Sequence, residues 1–210
     1  MRPCLRLWES FHAPCPSRDF VSKWQTILTD RYSEPQRHYH TFQHLDELTT
    51  HSESAKSSQA IVLSIFFHDI IYDGTKKDNE EKSAELFEEY CKDGGEWISA
   101  ATRDTVHTYI LHTKHHTAVP IDHPDTDLLY FLDYDLGILA EGRERYAEYA
   151  VQIRQEYIHV PSPQFEAARG AFLQMFLQAP RLYKTDHFFQ KWEKVARENV
   201  AWEIGVLTGA

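Results

Sequence analysis

Helical periodicity runs through most of this 210-residue chain and limits what the chain can fold into. Apolar residues recur three and four positions apart in many segments, whereas strict alternation of apolar and polar residues is hard to find. The 8 glycines and 9 prolines stand mostly between these segments, where they interrupt helical geometry. The pattern predicts an all-α fold.

Capping side chains set the expected helix boundaries. A serine, threonine or aspartate precedes several periodic segments, where its side chain can accept hydrogen bonds from the first free amides. The expected caps are Ser17, Thr41, Ser57 or Ser58, and Asp78. The expected helices run over about 18–32, 42–50, 58–69, 79–92, 97–112, 126–139, 142–157, 163–177 and 186–207, with 113–125 as a loop. We expect one domain over 1–210, with its helical core at about 18–207.

Charge and composition exclude several classes of function. The net charge of −10 repels a polyphosphate backbone, so extended nucleic-acid binding is not expected, although a small phosphorylated substrate is compatible. No apolar run reaches the length of a membrane span. Cys4, Cys15 and Cys91 form no CxxC pair, which argues against a disulfide framework and a structural zinc site. The first residues lack the apolar core of a signal peptide, so we expect a cytoplasmic protein.

A histidine and an aspartate follow the most apolar segment of the chain. Residues 61–67 read Ile-Val-Leu-Ser-Ile-Phe-Phe, and His68 and Asp69 come directly after them. Buried polar groups need a partner that offsets their desolvation, and a divalent cation supplies one. Because the Asp73-Gly74 turn lies close behind, the helix can end here and let both side chains reach one ion. A hydrogen-bonded His-Asp pair without metal is the alternative.

Further ligand types stand upstream and downstream. His40 and His44 are four residues apart, so they would share one face if both lay in a helix; a histidine pair at a helix start or on the surface is the alternative. Asp133 and Asp135 lie inside an apolar run, where an unpaired carboxylate is costly to bury. Either aspartate can face a cation, and the other can then face solvent or a histidine that binds the cation.

This His … His-Asp … Asp order resembles the HD superfamily of metal-dependent phosphohydrolases. The likeness is greatest to a subfamily described only as predicted metal-dependent HD phosphohydrolases, and extends over nearly the whole chain from about residue 18. It implies an HD-domain helical bundle with His44, His68, Asp69 and Asp135 as metal ligands. This thiolate-free set suits Mn²⁺, Fe²⁺, Co²⁺, Ni²⁺ or Zn²⁺, and Mg²⁺ is also compatible. The segments that carry the likeness are 37–41, 78–84, 131–136, 153–157 and 196–200.

Two narrower resemblances imply catalytic residues. The segment 39–44, Tyr-His-Thr-Phe-Gln-His, is similar to the Tyr-His-Asn-x-x-His of cyclic-nucleotide phosphodiesterases, which implies His40 as general acid. The segment 68–73 is similar to the His-Asp-x-x-Glu-Asp of stringent-response nucleotide hydrolases, which implies a water-activating role for Asp73. Beyond the Asp78 cap, Glu81 is a further catalytic candidate beside the metal water, and Asn79 is expected beside the substrate; acids that only favour the helix start are the alternative.

The expected reaction is hydrolysis of a nucleotide or another small phosphate ester. Arginine suits bidentate phosphate contact, and lysine adds charge. Arg37 adjoins the histidine motif, and Arg154 lies in an aromatic-lined helix. Candidate substrate-binding residues are Arg37, Asn79, Lys114 and Arg154. A homodimer is left open.

Two other functions remain compatible with the sequence. His112 and His116 would share a face if their helix continued, and some HD proteins use extra histidines for a second iron in oxygenase chemistry. A non-catalytic regulator whose metal only holds helices together is the other alternative.

Overall fold

The chain folds into helices throughout the part that the computed structural model describes, residues 1–55 and 57–209. No strand occurs in that part, so the all-α prediction is confirmed. Its α-helices are α1 (Pro3–His12), α2 (Arg18–Tyr32), α3 (Phe42–Ser54), α4 (Gln59–Phe67), α5 (Asn79–Gly94), α6 (Ala100–His112), α7 (Thr126–Asp135), α8 (Arg143–Glu156), α9 (Ser162–Gln178) and α10 (Asp186–Thr208).

The chain divides into two compact units between His116 and Thr117. The first contains α1 to α6, and the second contains α7 to α10. A single domain over 1–210 stays a prediction. Its range includes Lys56 and Ala210, which lie outside the described residues.

Local capping chemistry forms as expected at three helix starts. The side chains of Ser17, Thr41 and Ser58 each accept a hydrogen bond from a backbone N–H in the first turn of the following helix. Such a bond satisfies an amide that has no partner within the helix. Asp78 stands at the N-cap of α5, but its side chain makes no capping bond.

Helix α4 is the buried centre of the first unit. Every residue from Ile61 to Phe67 is buried, and α4 packs against α3, α5 and α6. Tyr32 of α2 donates its hydroxyl proton to the carbonyl of Phe66, 3.0 Å away. The helix ends at Phe67, so His68 and Asp69 emerge where the regular helix stops.

Helix α1 lies in a segment for which no helix was predicted. Cys4, Trp8 and His12 are its buried residues, spaced four apart on one face. Two of the three are not strongly apolar, so the helical period is weak in the sequence. Pro3 at the helix start is compatible with helix because its missing N–H would have no helical partner.

Boundaries also differ around α6 and α7. A 3₁₀ turn, Thr113–Ala118, occupies part of the predicted loop, and α7 ends at Asp135 before a 3₁₀ turn over Leu136–Ala140. The predicted helix 126–139 is therefore an α-helix followed by a tighter turn. Ends of this kind are common where the last carbonyls need partners.

Two buried carboxylates hold the segment between α9 and α10 in the second unit. Asp133 accepts hydrogen bonds from the backbone N–H groups of Lys184 (2.6 Å) and Thr185 (2.8 Å), and from the Thr185 hydroxyl (2.6 Å). Glu193 accepts the N–H groups of residues 182–183. These bonds satisfy buried donors that no helix ladder reaches.

None of the helices in the described ranges combines the length and the apolar character needed to cross a membrane.

His12 gives the first unit a pH-dependent element. Its Nδ1–H donates to the Trp8 carbonyl (2.8 Å), so Nε2 accepts from the Tyr90 hydroxyl (2.7 Å). Burial lowers the pKa of His12, partly opposed by the bond to Trp8. The native state therefore disfavours the proton that the unfolded chain takes up below pH about 6.5.

We expect the contribution of His12 to the free energy of unfolding to fall as the pH drops below about 6.5. Urea unfolding at pH 7.5 and pH 5.5 measures this for the wild type and His12→Gln. The difference between the two proteins isolates His12 from other titrating groups. Equal pH dependence in both would contradict the expectation.

Candidate metal centre

Three predicted ligands lie together in the first unit. His44 is in the first turn of α3, which Thr41 caps, while His68 and Asp69 follow the end of α4. Because α3 packs on α4, the start of one helix lies beside the end of the other. The two imidazoles are 1% exposed and the Asp69 side chain is 16% exposed.

The ligand atoms of these residues converge. Nε2 of His44 lies 3.1 Å from Nε2 of His68. Oδ2 of Asp69 lies 3.1 Å from Nε2 of His68 and 3.6 Å from Nε2 of His44. One carboxylate oxygen and two imidazole nitrogens therefore face a common point.

Backbone carbonyls fix the tautomer of His68. Its Nδ1 lies 3.1 Å from the carbonyl oxygens of both Ser64 and Ile65. A carbonyl only accepts, so Nδ1 carries the proton and Nε2 presents a lone pair. This is the form in which histidine binds a metal.

The donor set fits a divalent transition metal. Lone pairs of a nitrogen and a carboxylate oxygen 3.1 Å apart repel one another unless a proton or a cation lies between them. Ligand atoms about 2.1 Å from one ion are about 3.0–3.4 Å apart at tetrahedral or octahedral angles. The observed spacings are close to that range. Imidazole with carboxylate and no thiolate suits the metals expected from the sequence.

His40, the predicted general acid, lies at the edge of this group. Its Nε2 is 3.8 Å from Oδ2 of Asp69, and its side chain is 16% exposed. The ring stacks on Tyr72, with centroids 3.9 Å apart and planes inclined by 25°. Tyr72 stands where the motif of the stringent-response hydrolases has a glutamate, so no role for it could be predicted from the resemblance.

Helix α5 holds the loop that follows Asp69. Asn79 accepts from the backbone N–H of Asp73 (3.0 Å) and donates to its carbonyl (3.1 Å). Ser83, one turn along, bonds the N–H and carbonyl of Ile71. Asp73 Oδ1 accepts from both the N–H and the hydroxyl of Thr75. Asn79, predicted to bind substrate, thus braces the loop of Asp73, predicted to be catalytic.

Glu81 and Lys114 are paired with each other. The Lys114 ammonium donates to Glu81 (2.5 Å) and to the carbonyl of Lys77 (2.7 Å). The hydrogen bond from Lys114 lowers the pKa of Glu81, and the same bond raises the pKa of Lys114. Both side chains are partly exposed, so the pair can exchange partners.

The two arginines predicted to bind substrate bond to backbone carbonyls. Arg154 donates to Tyr157 (2.7 Å) and Val160 (3.1 Å), at the end of α8. Arg37 has a fully buried side chain and donates to carbonyls on both sides of the ligand group. Their substrate-binding roles stay predictions. In the structure both arginines hold backbone segments in place through hydrogen bonds to carbonyls.

The two candidate aspartates in the second unit differ in their surroundings. Asp133 is fully buried and accepts the three hydrogen bonds of the 184–185 segment. Burial raises the pKa of Asp133 to about 6, against those donors. Asp135, the last residue of α7, is half-buried. Asp133 therefore serves to hold the 184–185 segment in place.

The helical spacing expected for a second metal is not formed. α6 ends at His112, and His115 has non-helical backbone angles (φ −138°, ψ 54°). His112 and His116 therefore do not share a helix face, which was the basis of the two-iron alternative.

Comparison with known proteins adds no relative: no protein-family model, no curated protein and no solved structure matches the chain. The histidine–aspartate group in an all-helical chain is compatible with an HD-type metal site.

Proposed function

We propose that the protein is a metal-dependent phosphohydrolase that acts on a nucleotide or another small phosphate ester. The observation that carries the proposal is the convergence of His44, His68 and Asp69, with one ligand atom of each within 4.8 Å of the others. Exposure of the Asp69 and His40 side chains, 16% each, is what a site open to a small ligand requires. A purely structural metal would more often be enclosed by cysteines.

The residues of the site would have different roles, which follow from their side-chain chemistry. His44, His68 and Asp69 would hold the ion, and the bonds from His68 to Ser64 and Ile65 keep its lone pair aimed at it. A divalent ion bound there supplies Lewis acidity that polarises a phosphoryl oxygen and acidifies water. His40 would hold the proton that the leaving oxygen needs, because it is the imidazole at the exposed edge.

We further propose Asp135 as a fourth ligand. The support is the sequence resemblance together with the commitment of Asp133 to residues 184–185. The net charge of two carboxylates and two neutral imidazoles matches one divalent ion.

Phosphate recognition in the first unit is assigned to Lys114. Its contact with Glu81 is partly exposed, so a phosphate can replace that carboxylate at small cost. Arg37 cannot do the same without uncovering buried carbonyls. Glu81 would then act as a placeholder for the anionic substrate.

Metal reconstitution tests the proposal. The purified protein is chelated, then supplied with Mn²⁺, Fe²⁺, Co²⁺, Ni²⁺, Zn²⁺ or Mg²⁺ in turn, and phosphate release is measured over a panel of nucleotides and small phosphomonoesters. We expect chelation to abolish turnover and at least one transition metal to restore it, with about one ion per chain. Two irons per chain with oxygen uptake, or no turnover with any metal, would overturn the proposal.

A further inference from the structure

Arg37 connects two turns that each carry a residue of the candidate site. One guanidinium nitrogen donates to the carbonyl of His40 (3.1 Å) and to the carbonyl of Asp69 (2.6 Å). The other terminal nitrogen donates to the carbonyl of Ile70 (2.8 Å). Ile70 is 33 positions from Arg37 in the sequence, so one side chain joins two distant segments.

The guanidinium is itself held in place. Its Nε donates to the carboxylate of Glu34 (3.1 Å), and the side chain is fully buried. Its carbon lies 5.0 Å from the ring centroid of Tyr32 and 5.7 Å from that of Tyr72. Tyr72 in turn stacks on His40. A planar cation close to two rings and bonded to a carboxylate has little freedom to reorient.

We propose that Arg37 is a positioning residue that holds Asp69 in place both among the metal ligands and opposite His40. The inference rests on the proposed function, since it concerns the same site. A single rigid guanidinium fixes the backbone at His40 and at Asp69, so it fixes the 3.8 Å between their side chains. A lysine ammonium at this place is a point donor and cannot span both carbonyls and Glu34 in the same plane.

Arg197 of α10 provides a matched control in the second unit. Its Nε donates to Glu193 (2.7 Å), and its terminal nitrogens donate to the carbonyls of Leu177 (2.9 Å), Ala179 (2.7 Å) and Pro180 (3.3 Å). The pattern of one glutamate and three carbonyls is that of Arg37. The same substitution therefore removes the same kind of bonds without touching His40 or Asp69.

The test compares Arg37→Lys with Arg197→Lys in the full chain. Co²⁺ is titrated into each metal-free protein, the visible absorption band is recorded, and the melting temperature is measured without metal. We expect both variants to melt about 4 °C lower, because each loses several hydrogen bonds to a glutamate and to backbone carbonyls. Arg37→Lys is expected to bind Co²⁺ about 10- to 100-fold more weakly, with an altered absorption band. Arg197→Lys is expected to keep wild-type affinity and spectrum.

The outcomes separate the two proposals. A wild type that binds Co²⁺ while Arg37→Lys binds it equally well, with the same spectrum, overturns the positioning role and leaves the metal site standing. Equal weakening in both variants overturns it too, because the effect is then one of general stability. A wild type that binds no Co²⁺ overturns the site and this inference with it. If Arg37→Lys does not fold, Glu34→Ala replaces it, and about threefold weaker binding is the expected result; unchanged binding overturns the role.

Discussion

Asp69→Asn is expected to lower phosphate-ester turnover at least about 100-fold and to strip the metal from the purified protein. The Asp69 carboxylate is the contact common to three imidazoles, at 3.1 Å from His68, 3.6 Å from His44 and 3.8 Å from His40. Asparagine keeps the shape of the side chain but removes its negative charge. In the first unit the ion would then contact two neutral imidazoles and no carboxylate. Binding of the ion would therefore lose its strongest electrostatic contribution from that unit.

Turnover at saturating metal and metal content by plasma mass spectrometry measure this expectation together. Circular dichroism and thermal melting establish that Asp69→Asn is folded, which is expected because the side chain is not fully buried. Asp93→Asn is the matched control, since Asp93 is a carboxylate of the same unit that pairs with Lys23 and Trp24. It should retain metal and turnover to within about twofold. Full metal content and turnover in Asp69→Asn would place the chemistry elsewhere.

The features that depend on local chemistry could be predicted from the sequence. Ser17, Thr41 and Ser58 cap helices because their hydroxyls reach amides only two or three residues away. The apolar run before His68 had to be buried, so the histidine at its end had to lie at the end of a buried helix. Helix α1 was not predicted, because a histidine and a cysteine supply part of its buried face and the apolar period is weak there.

The candidate site likewise contains residues that could be predicted from the sequence and residues whose roles could not. The short motifs that contain His44, His68 and Asp69 have side chains that are typical metal ligands, so they could be recognised in the sequence. The structure brings these three side chains together. The partners of Arg37 are backbone carbonyls, which every residue carries, so nothing in the sequence distinguishes a phosphate-binding arginine from a bracing one. Asp133 is the same case, because its partners are the amides of residues 51 and 52 positions away.

Asp133→Ala is expected to lower the free energy of unfolding by about 3 kcal/mol, while Asp135→Ala lowers it much less. Removing the Asp133 carboxylate leaves two buried backbone amides and the Thr185 hydroxyl without an acceptor. Each unsatisfied buried donor costs about 1–3 kcal/mol, partly offset because the buried charge is removed as well. Urea unfolding of both variants and the wild type, without added metal, measures the difference.

The pH dependence of that loss gives a second, independent test. Burial raises the pKa of Asp133 to about 6 from 3.8, so the native state binds a proton between pH 6 and pH 3.8 that the unfolded chain does not. The contribution of Asp133 to stability is therefore largest at low pH and declines as the pH rises through about 6. The gap between wild type and Asp133→Ala should accordingly be wider at pH 5 than at pH 7.5. A gap that narrows at pH 5 would show that the carboxylate is held by its donors more strongly than it is opposed by burial.

The effect on metal content is expected to be the reverse of the effect on stability: it should be larger at Asp135 than at Asp133. Asp135→Ala should lose bound metal and keep most of its stability, because it removes a ligand from a fold that Asp133 still holds. Asp133→Asn, which keeps one acceptor oxygen, should be less destabilised than Asp133→Ala and should keep its metal wherever it is folded. Loss of metal in folded Asp133→Asn, with metal retained in Asp135→Ala, would reverse the assignment. Asp133 would then be the ligand, and its bonds to residues 184–185 would serve to orient its carboxylate.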